Sequence, residues 1–305
     1  NTAVTKKKIK RCKEDVVFDA ACFIILTLVL FVVAYPLYWV IISSISAPSA
    51  VSSGKVLLHP IGFTLKGYAE VFKNDQVMRG FLNSLIITFC GVMVNLIVTL
   101  PTSYALSRSN FSGKKPITIF YLITMFFGGG QIPTYLVIQR LQMLNTIWAL
   151  ILPGCLSVYN MIVARTFFKS NISEELYEAA EIDGCTQARF FFQIALPLSK
   201  AIIAILVLYY GVGHWNSYFS ALVYISDKAK YPLQLVLRNI LITNQTALSQ
   251  TATTAAARAA LQEKQQLIDV MKYSLIIISS IPVLVMYPLV QKHFVKGVMI
   301  GSMKG

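Results

Sequence analysis

The chain has 305 residues, 56% of them hydrophobic and only 13% charged, with a mean hydropathy of +0.63 and a formal net charge of +14. A soluble domain carries about 25% charged and 45–50% apolar residues, so this composition excludes an ordinary water-soluble enzyme and puts the chain in a bilayer. The positive charge reads as basic residues flanking membrane spans, because no basic-aromatic platform or nucleic-acid motif accompanies it; nucleic acid is not an expected partner.

A crossing helix needs about 20 predominantly apolar residues. Six stretches qualify: 16–45, 81–107, 116–139, 141–164, 201–226 and 273–291. Lipid offers no water to backbone N–H and C=O groups, so the predicted fold is an all-α membrane protein with six transmembrane helices. A basic segment, 1–15, precedes the first stretch, which is too long for the apolar part of a signal peptide and lacks a small-residue cleavage pattern; it reads as a retained span. It runs through Tyr35-Pro36-Leu37-Tyr38-Trp39, an aromatic group suited to a membrane interface or to helix packing. Two longer connections follow elsewhere in the chain. Loop 46–79 holds an amphipathic stretch at 65–72, and loop 227–272 holds helix-prone runs at 233–242 and 255–270. A tail, 296–305, follows the last span.

Helix breakers mark the middle spans: Gly128-Gly129-Gly130-Gln131-Ile132-Pro133 in the third, Pro153-Gly154 in the fourth and Gly211-Val212-Gly213-His214-Trp215-Asn216 in the fifth. Irregular backbone at membrane depth is tolerated only where it is buried in protein or lines a watery cavity. Polar groups there are costly, which makes Gln131, Tyr135, Asn160, His214, Trp215, Asn216 and Tyr218 candidates for a substrate path, with Asn83 and Asn95 beside them. Each either lines the path or bonds a neighbouring helix. A fifth helix beginning at Lys200 is expected to put Trp215 and Tyr218 on one face.

The most informative segment lies between the fourth and fifth spans. Ser173 is a good helix N-cap, Glu174 and Glu175 put negative charge in the first turn, and Gly184 suits the left-handed position past a helix end. Ala179 and Ala180 carry little side chain, so another surface can approach closely. A second short helix through Phe190-Phe191-Phe192 is expected to break at Pro197. Lys and Arg set the orientation: with the N-terminus inside, the inner segments hold 16 of the 27 basic residues, and the outer ones lie mostly in the two long loops. The expected topology is multi-pass with cytoplasmic N- and C-termini, and loop 170–197 then faces the cytoplasm.

Several chemistries are missing. No phosphate-binding P-loop, metalloprotease helix or nucleophile elbow occurs, so no catalytic residue, metal site or cofactor is assigned to this chain. Cys12, Cys22, Cys90, Cys155 and Cys185 lack metal-ligand spacing and do not read as a disulfide framework. No carboxylate pair lies inside the spans, which argues against an ion-driven carrier.

The pattern Glu178-Ala179-Ala180, Asp183-Gly184, Ile194, Leu196 and Pro197 resembles the EAA loop of permease subunits in binding-protein-dependent ABC importers. The stretches 127–135 (FGGGQIPTY), 213–218 (GHWNSY), 231–234 (YPLQ) and the tail KGVMIGSMKG are similar to the MalG-like LplC/YtcP branch of carbohydrate permeases, so the resemblance spans nearly the whole chain. Lys200-Ala201 departs from it where many relatives have a proline. The resemblance implies the type I ABC importer transmembrane fold in a bacterial cytoplasmic (inner) membrane. Glu178, Ala179, Ala180, Asp183, Gly184 and Cys185 would be the helix that couples to the ATPase. Implied partners are a second related permease subunit forming a heterodimer, two ABC ATPase subunits that bind ATP and Mg, an external solute-binding protein, membrane lipid and a carbohydrate. The outer segments carry 11 basic against 5 acidic residues, which favours an acidic, uronate-type oligosaccharide or an acidic binding protein. The alternatives are a peptide or amino-acid importer permease and a stand-alone channel.

Overall fold

The computed structural model describes residues 13–247 and 255–302, with side chains for 13–242 and, with gaps, for 262–291. Cys12, most of the basic segment 1–15 and the end of the 296–305 tail lie outside the described residues. Every described regular element is helical. The chain divides into two compact units, residues 1–69 with 251–277 and residues 70–250 with 278–305.

In the first unit, α1 (Lys13–Ser44) starts with Glu14 and Asp15 in its first turn, where the helix dipole favours them. None of its most apolar 18-residue window is buried, and its apolar residues point in all directions, as a helix bathed in hydrocarbon requires. Its end is different. Trp39 donates from Nε1 to Val56 O at 2.8 Å, Tyr38 OH donates to Leu58 O at 2.7 Å, and Tyr35 OH to Leu57 O at 3.3 Å. The aromatic group therefore satisfies three carbonyls of the loop after α2 (Pro48–Ser52). Ile42, Val51, Val56 and Val270 form the core here, with Trp39 edge-on to Tyr273 at 5.0 Å. The amphipathic stretch forms α3 (Lys66–Lys73), whose Gly67 lies so close to Val270 and Ser274 that an added Cβ would come within 2.8 Å of both.

The second unit is built around α4 (Asp75–Ser107), capped by Asn74, whose side chain accepts from Gln76 N and Val77 N. It packs against α8 (Val158–Asn171), α12 (Lys200–Trp215) and α14 (Leu233–Ala247). Asn95, Thr99 and Ser103 recur every four residues on one face of α4, and all are fully buried. Asn95 Nδ2 donates to Gly154 O at 2.8 Å and Cys155 O at 2.9 Å. Those carbonyls are orphaned by the Pro153-Gly154 break, and buried polar groups left unpaired are expensive. Both amide hydrogens being used, Asn95 Oδ1 is the acceptor for His214 Nε2 at 2.7 Å, which puts the imidazole proton on Nε2. Thr99 shares a 2.7 Å hydrogen bond with Tyr210, and Ser103 donates to Met161 O at 3.0 Å. One polar seam thus ties three helices together.

Among the described residues, three helices are long and apolar enough to cross a membrane alone, and three bent pairs bring the total to as many as six. Two of the bends fall in the third and fourth spans, where breakers were expected, and the other falls at Ser199, ahead of the expected fifth span; their shapes differ from plain crossings. In the third, α5 (Lys114–Phe126) and α6 (Gln131–Arg140) meet at 113° across the glycine run, with Gly130 at φ 85°. The fourth does not begin at residue 141: 141–147 is a turn with Gln142 and Asn145 at positive φ, followed by α7 (Trp148–Ile151), a 3-10 turn and α8. Asn145 organises that turn, donating from N to Tyr224 O at 2.8 Å and accepting from Asp227 N at 3.0 Å. In the fifth, Gly211 and Gly213 stay helical and the break comes at 216–217, before α13 (Tyr218–Tyr224). The helix-prone run 255–270 and the sixth span are one helix, α15 (Ala255–Ser302), with no boundary at 272.

Candidate functional site

The EAA-like segment is a helix fixed at both ends. Ser173 Oγ accepts from Leu176 N at 3.4 Å, and α9 (Glu174–Ile182) runs from there. Asp183 is its C-cap, Gly184 follows at φ 75°, and Gly184 N and Cys185 N donate to Glu181 O and Ala180 O, each at 2.9 Å. Glycine is required by that φ rather than by crowding, since no atom lies within 4 Å of where its Cβ would be. Thr186 caps α10 (Gln187–Phe190), which passes into a π-helical turn at Phe191–Ala195 and α11 (Leu196–Leu198). The chain bends by 80° into α12 at Ser199, just after Pro197.

Two faces of α9 differ sharply. Tyr177 is 5% exposed and Ala180 and Cys185 pack on the same core. Glu178 and Ala179 face outward with Leu176, and Ile182 is 87% exposed. Leu176, Ala179 and Ile182 form an apolar stripe with i, i+3, i+6 spacing, rimmed by Glu175, Glu178, Glu181 and Asp183. On the inner side Tyr177 meets Phe190 edge-on at 5.3 Å, and Tyr104 of α4 lies 5.0 Å from Phe191 and 5.7 Å from Phe168. Arg108 stands over the Tyr177 ring at 4.0 Å and pairs with Glu174 at 3.4 Å. A cleft of about 330 Å³ opens beside them, lined by Tyr104, Arg108, Asn110, Gln187, Phe191 and Phe192 among others.

The seven path candidates fall into separate local groups. Gln131 Nε2 donates to Tyr224 OH at 3.0 Å, and Tyr135 stacks on the same Tyr224 at 6.3 Å. Asn160 is 7% exposed in the first turn of α8, where its backbone N–H is capped by Ser157. His214 is held by Asn95 and sits where a Cβ on Gly91 would lie 2.5 Å from its ring. Trp215 is 2% exposed, donates to Ser279 O at 2.9 Å and packs edge-on to Phe81 at 5.7 Å. Trp215 ends α12 and Tyr218 begins α13, so they do not share a helix face as the sequence reading expected. Asn216 and Tyr218 are exposed, and Asn216 Nδ2 bonds Val212 O on its own helix at 3.0 Å. Among the described residues no cluster of His, Cys, Asp or Glu is arranged to hold a metal ion.

No protein-family model matches the chain. It is 36% identical over 288 residues to the polygalacturonan/rhamnogalacturonan transport system permease protein YtcP of Bacillus subtilis strain 168, covering 94% of this chain and 98% of that protein. It is 38% identical over 293 residues to LplC of the same organism, covering 96% and 97%. Its fold matches, with a TM-score of 0.84 and 27% identity, a chain in the crystal structure of a bacterial ABC transporter involved in import of the acidic polysaccharide alginate, covering 94% of this chain and all of that one. The chain belongs to the permease subunits of carbohydrate ABC importers. These relatives are transport proteins rather than enzymes, and the permease is a multi-pass membrane protein of that type.

Sequence reasoning missed three residues of the permease that the geometry brings forward. Tyr224 gathers Gln131 and Tyr135, but a tyrosine in an apolar run carries no distinguishing pattern. Tyr177 and Arg108 hold α9 from within. Tyr177 sits one residue before the EAA triplet, and Arg108 is the first charge after a long apolar helix; both signals were present in the sequence, yet neither shows that the two side chains meet.

Proposed function

We propose that this permease is half of the membrane pathway of an ATP-driven importer for acidic, uronate-type oligosaccharides, paired with a second related permease subunit. In this reading α9 docks on one of two partner ATPase subunits, which bind ATP and Mg and carry out the hydrolysis. The N- and C-termini are cytoplasmic, and the opposite side receives sugar from an external solute-binding protein. The observation that carries the docking role is the exposed Leu176, Ala179 and Ile182 stripe on a helix capped at both ends. An apolar stripe with an acidic rim fits a partner groove that is apolar within and basic at its edge.

Two of the relatives bear names of acidic polymers, polygalacturonan and alginate. The excess of basic residues in the outer segments of this chain, 11 against 5 acidic, is the matching feature here. Clefts lined by one sign of charge raise the local concentration of the opposite sign. Cells expressing the complete transporter are expected to take up galacturonate oligomers in preference to uncharged galactose oligomers of equal length. Uptake of the uncharged oligomers alone would remove the acidic assignment.

A further inference from the structure

Arg108 directly follows α4, and a basic residue at the end of an apolar span ordinarily extends its charge into water. Arg108 does not. Its side chain is 11% exposed and folds onto α9, with Cζ 4.0 Å from the Tyr177 ring centre and Nη1 3.4 Å from the Glu174 carboxylate. Ser109 Oγ donates to the same carboxylate, while Arg108 Nη2 is buried without a hydrogen-bond partner. An apolar side chain here would hold α9 without taking a cation out of water, a cost that a partly desolvated ion pair repays poorly. What a guanidinium adds is direction. A stack on a ring face and a pair to a carboxylate three residues away fix the angle of α9 against the end of α4. Tyr104, one turn earlier on α4, extends the grip to Phe190 and Phe191.

We propose that Arg108 is a positioning residue for coupling, the joint through which a displacement of α9 is delivered to α4. This rests on α9 being the docking helix. α4 also carries Asn95, Thr99 and Ser103, which bond the break before α8, α8 itself and α12, so motion at Arg108 reaches the seam of the unit. When the joint is lost, α9 moves with the ATPase while α4 lags, and ATP is hydrolysed without transport.

The test uses proteoliposomes holding the complete transporter, with ATP hydrolysis, uptake and retention of the ATPase subunits measured together. The probe is whichever of the galacturonate or galactose oligomers the wild-type complex takes up. Arg108→Ala and Tyr177→Leu are expected to keep the ATPase subunits bound but to lower the sugar moved per ATP by about tenfold. Tyr177→Phe keeps the ring face and is expected to keep the wild-type ratio, whereas a role in filling space alone would let leucine serve as well as phenylalanine. Should Arg108→Ala fail to assemble, the two Tyr177 variants decide. A wild-type ratio in Tyr177→Leu, or an equal fall in both Tyr177 variants, overturns the joint. Glu178→Lys, on the exposed face, separates this from the underlying reading: it is expected to release the ATPase subunits. Normal docking and transport by that variant would overturn the docking role and the joint together.

Discussion

At the scale of single residues, several polar side chains inside the spans are bonded more fully than their sequence suggests. Asn95 uses both amide hydrogens and its oxygen, and every partner lies on a different segment: the Gly154 and Cys155 carbonyls at a helix break, and His214 on α12. Asn95→Leu keeps the volume but strands two carbonyls and an imidazole N–H. With buried unsatisfied groups costing about 1–3 kcal/mol each, a lower unfolding temperature of the purified permease in detergent is expected, and an unchanged one would show that water or lipid headgroups replace the amide. His214 and Trp215 teach the same lesson. A polar residue in an apolar run lines water or bonds a neighbour, and period and hydropathy cannot separate the two. The tertiary partners decide it: Trp215 donates to Ser279 and packs on Phe81, at distances in sequence that no local pattern reaches.

At the scale of elements, capping was the legible part. The N-cap Ser173, the acidic first turn and the left-handed Gly184 are local signals, and the helix occupies the span they delimit. The third and fourth spans were harder. Their breakers could be read, but a bend of 113° or the turn at 141–147 depends on Gly130 at positive φ and on Asn145 bonding to the end of α13, and composition is silent on both. Gly184 gives the element its test. Asparagine tolerates left-handed backbone and valine does not, the strain being of order 1–2 kcal/mol. Since the space beside Gly184 is open within this chain, Gly184→Asn is expected to retain the ATPase subunits in a pull-down and Gly184→Val to lose them. Equal retention by both would show that the left-handed cap does not shape the docking face.

At the scale of the molecule, the orientation rests on basic residues alone and is open to direct measurement. In a cysteine-free background, single cysteines at Gln187 and Ser112 are expected to be shielded from an impermeant thiol reagent outside the cell, and one at Lys228 to react. All three positions are exposed in the fold, so burial does not confuse the result. Labelling at Gln187 in intact cells would invert the topology and remove α9 from any cytoplasmic partner. The number of crossings was legible because hydropathy is a sum over twenty residues; the division into two units was not, because it depends on which helices meet. The two halves of α1 carry a last consequence, for how this chain tolerates substitution over time. None of the residues in its apolar middle is buried within this chain, so one bulky aliphatic there is nearly as good as another for the fold and the arrival of a charge is what is penalised. From Tyr35 to Ser46, just past the helix end, the freedom ends, with Ser43, Ser44 and Ser46 almost fully enclosed and three aromatic donors committed to loop carbonyls. A single helix therefore drifts freely along one length and is held fast along the other.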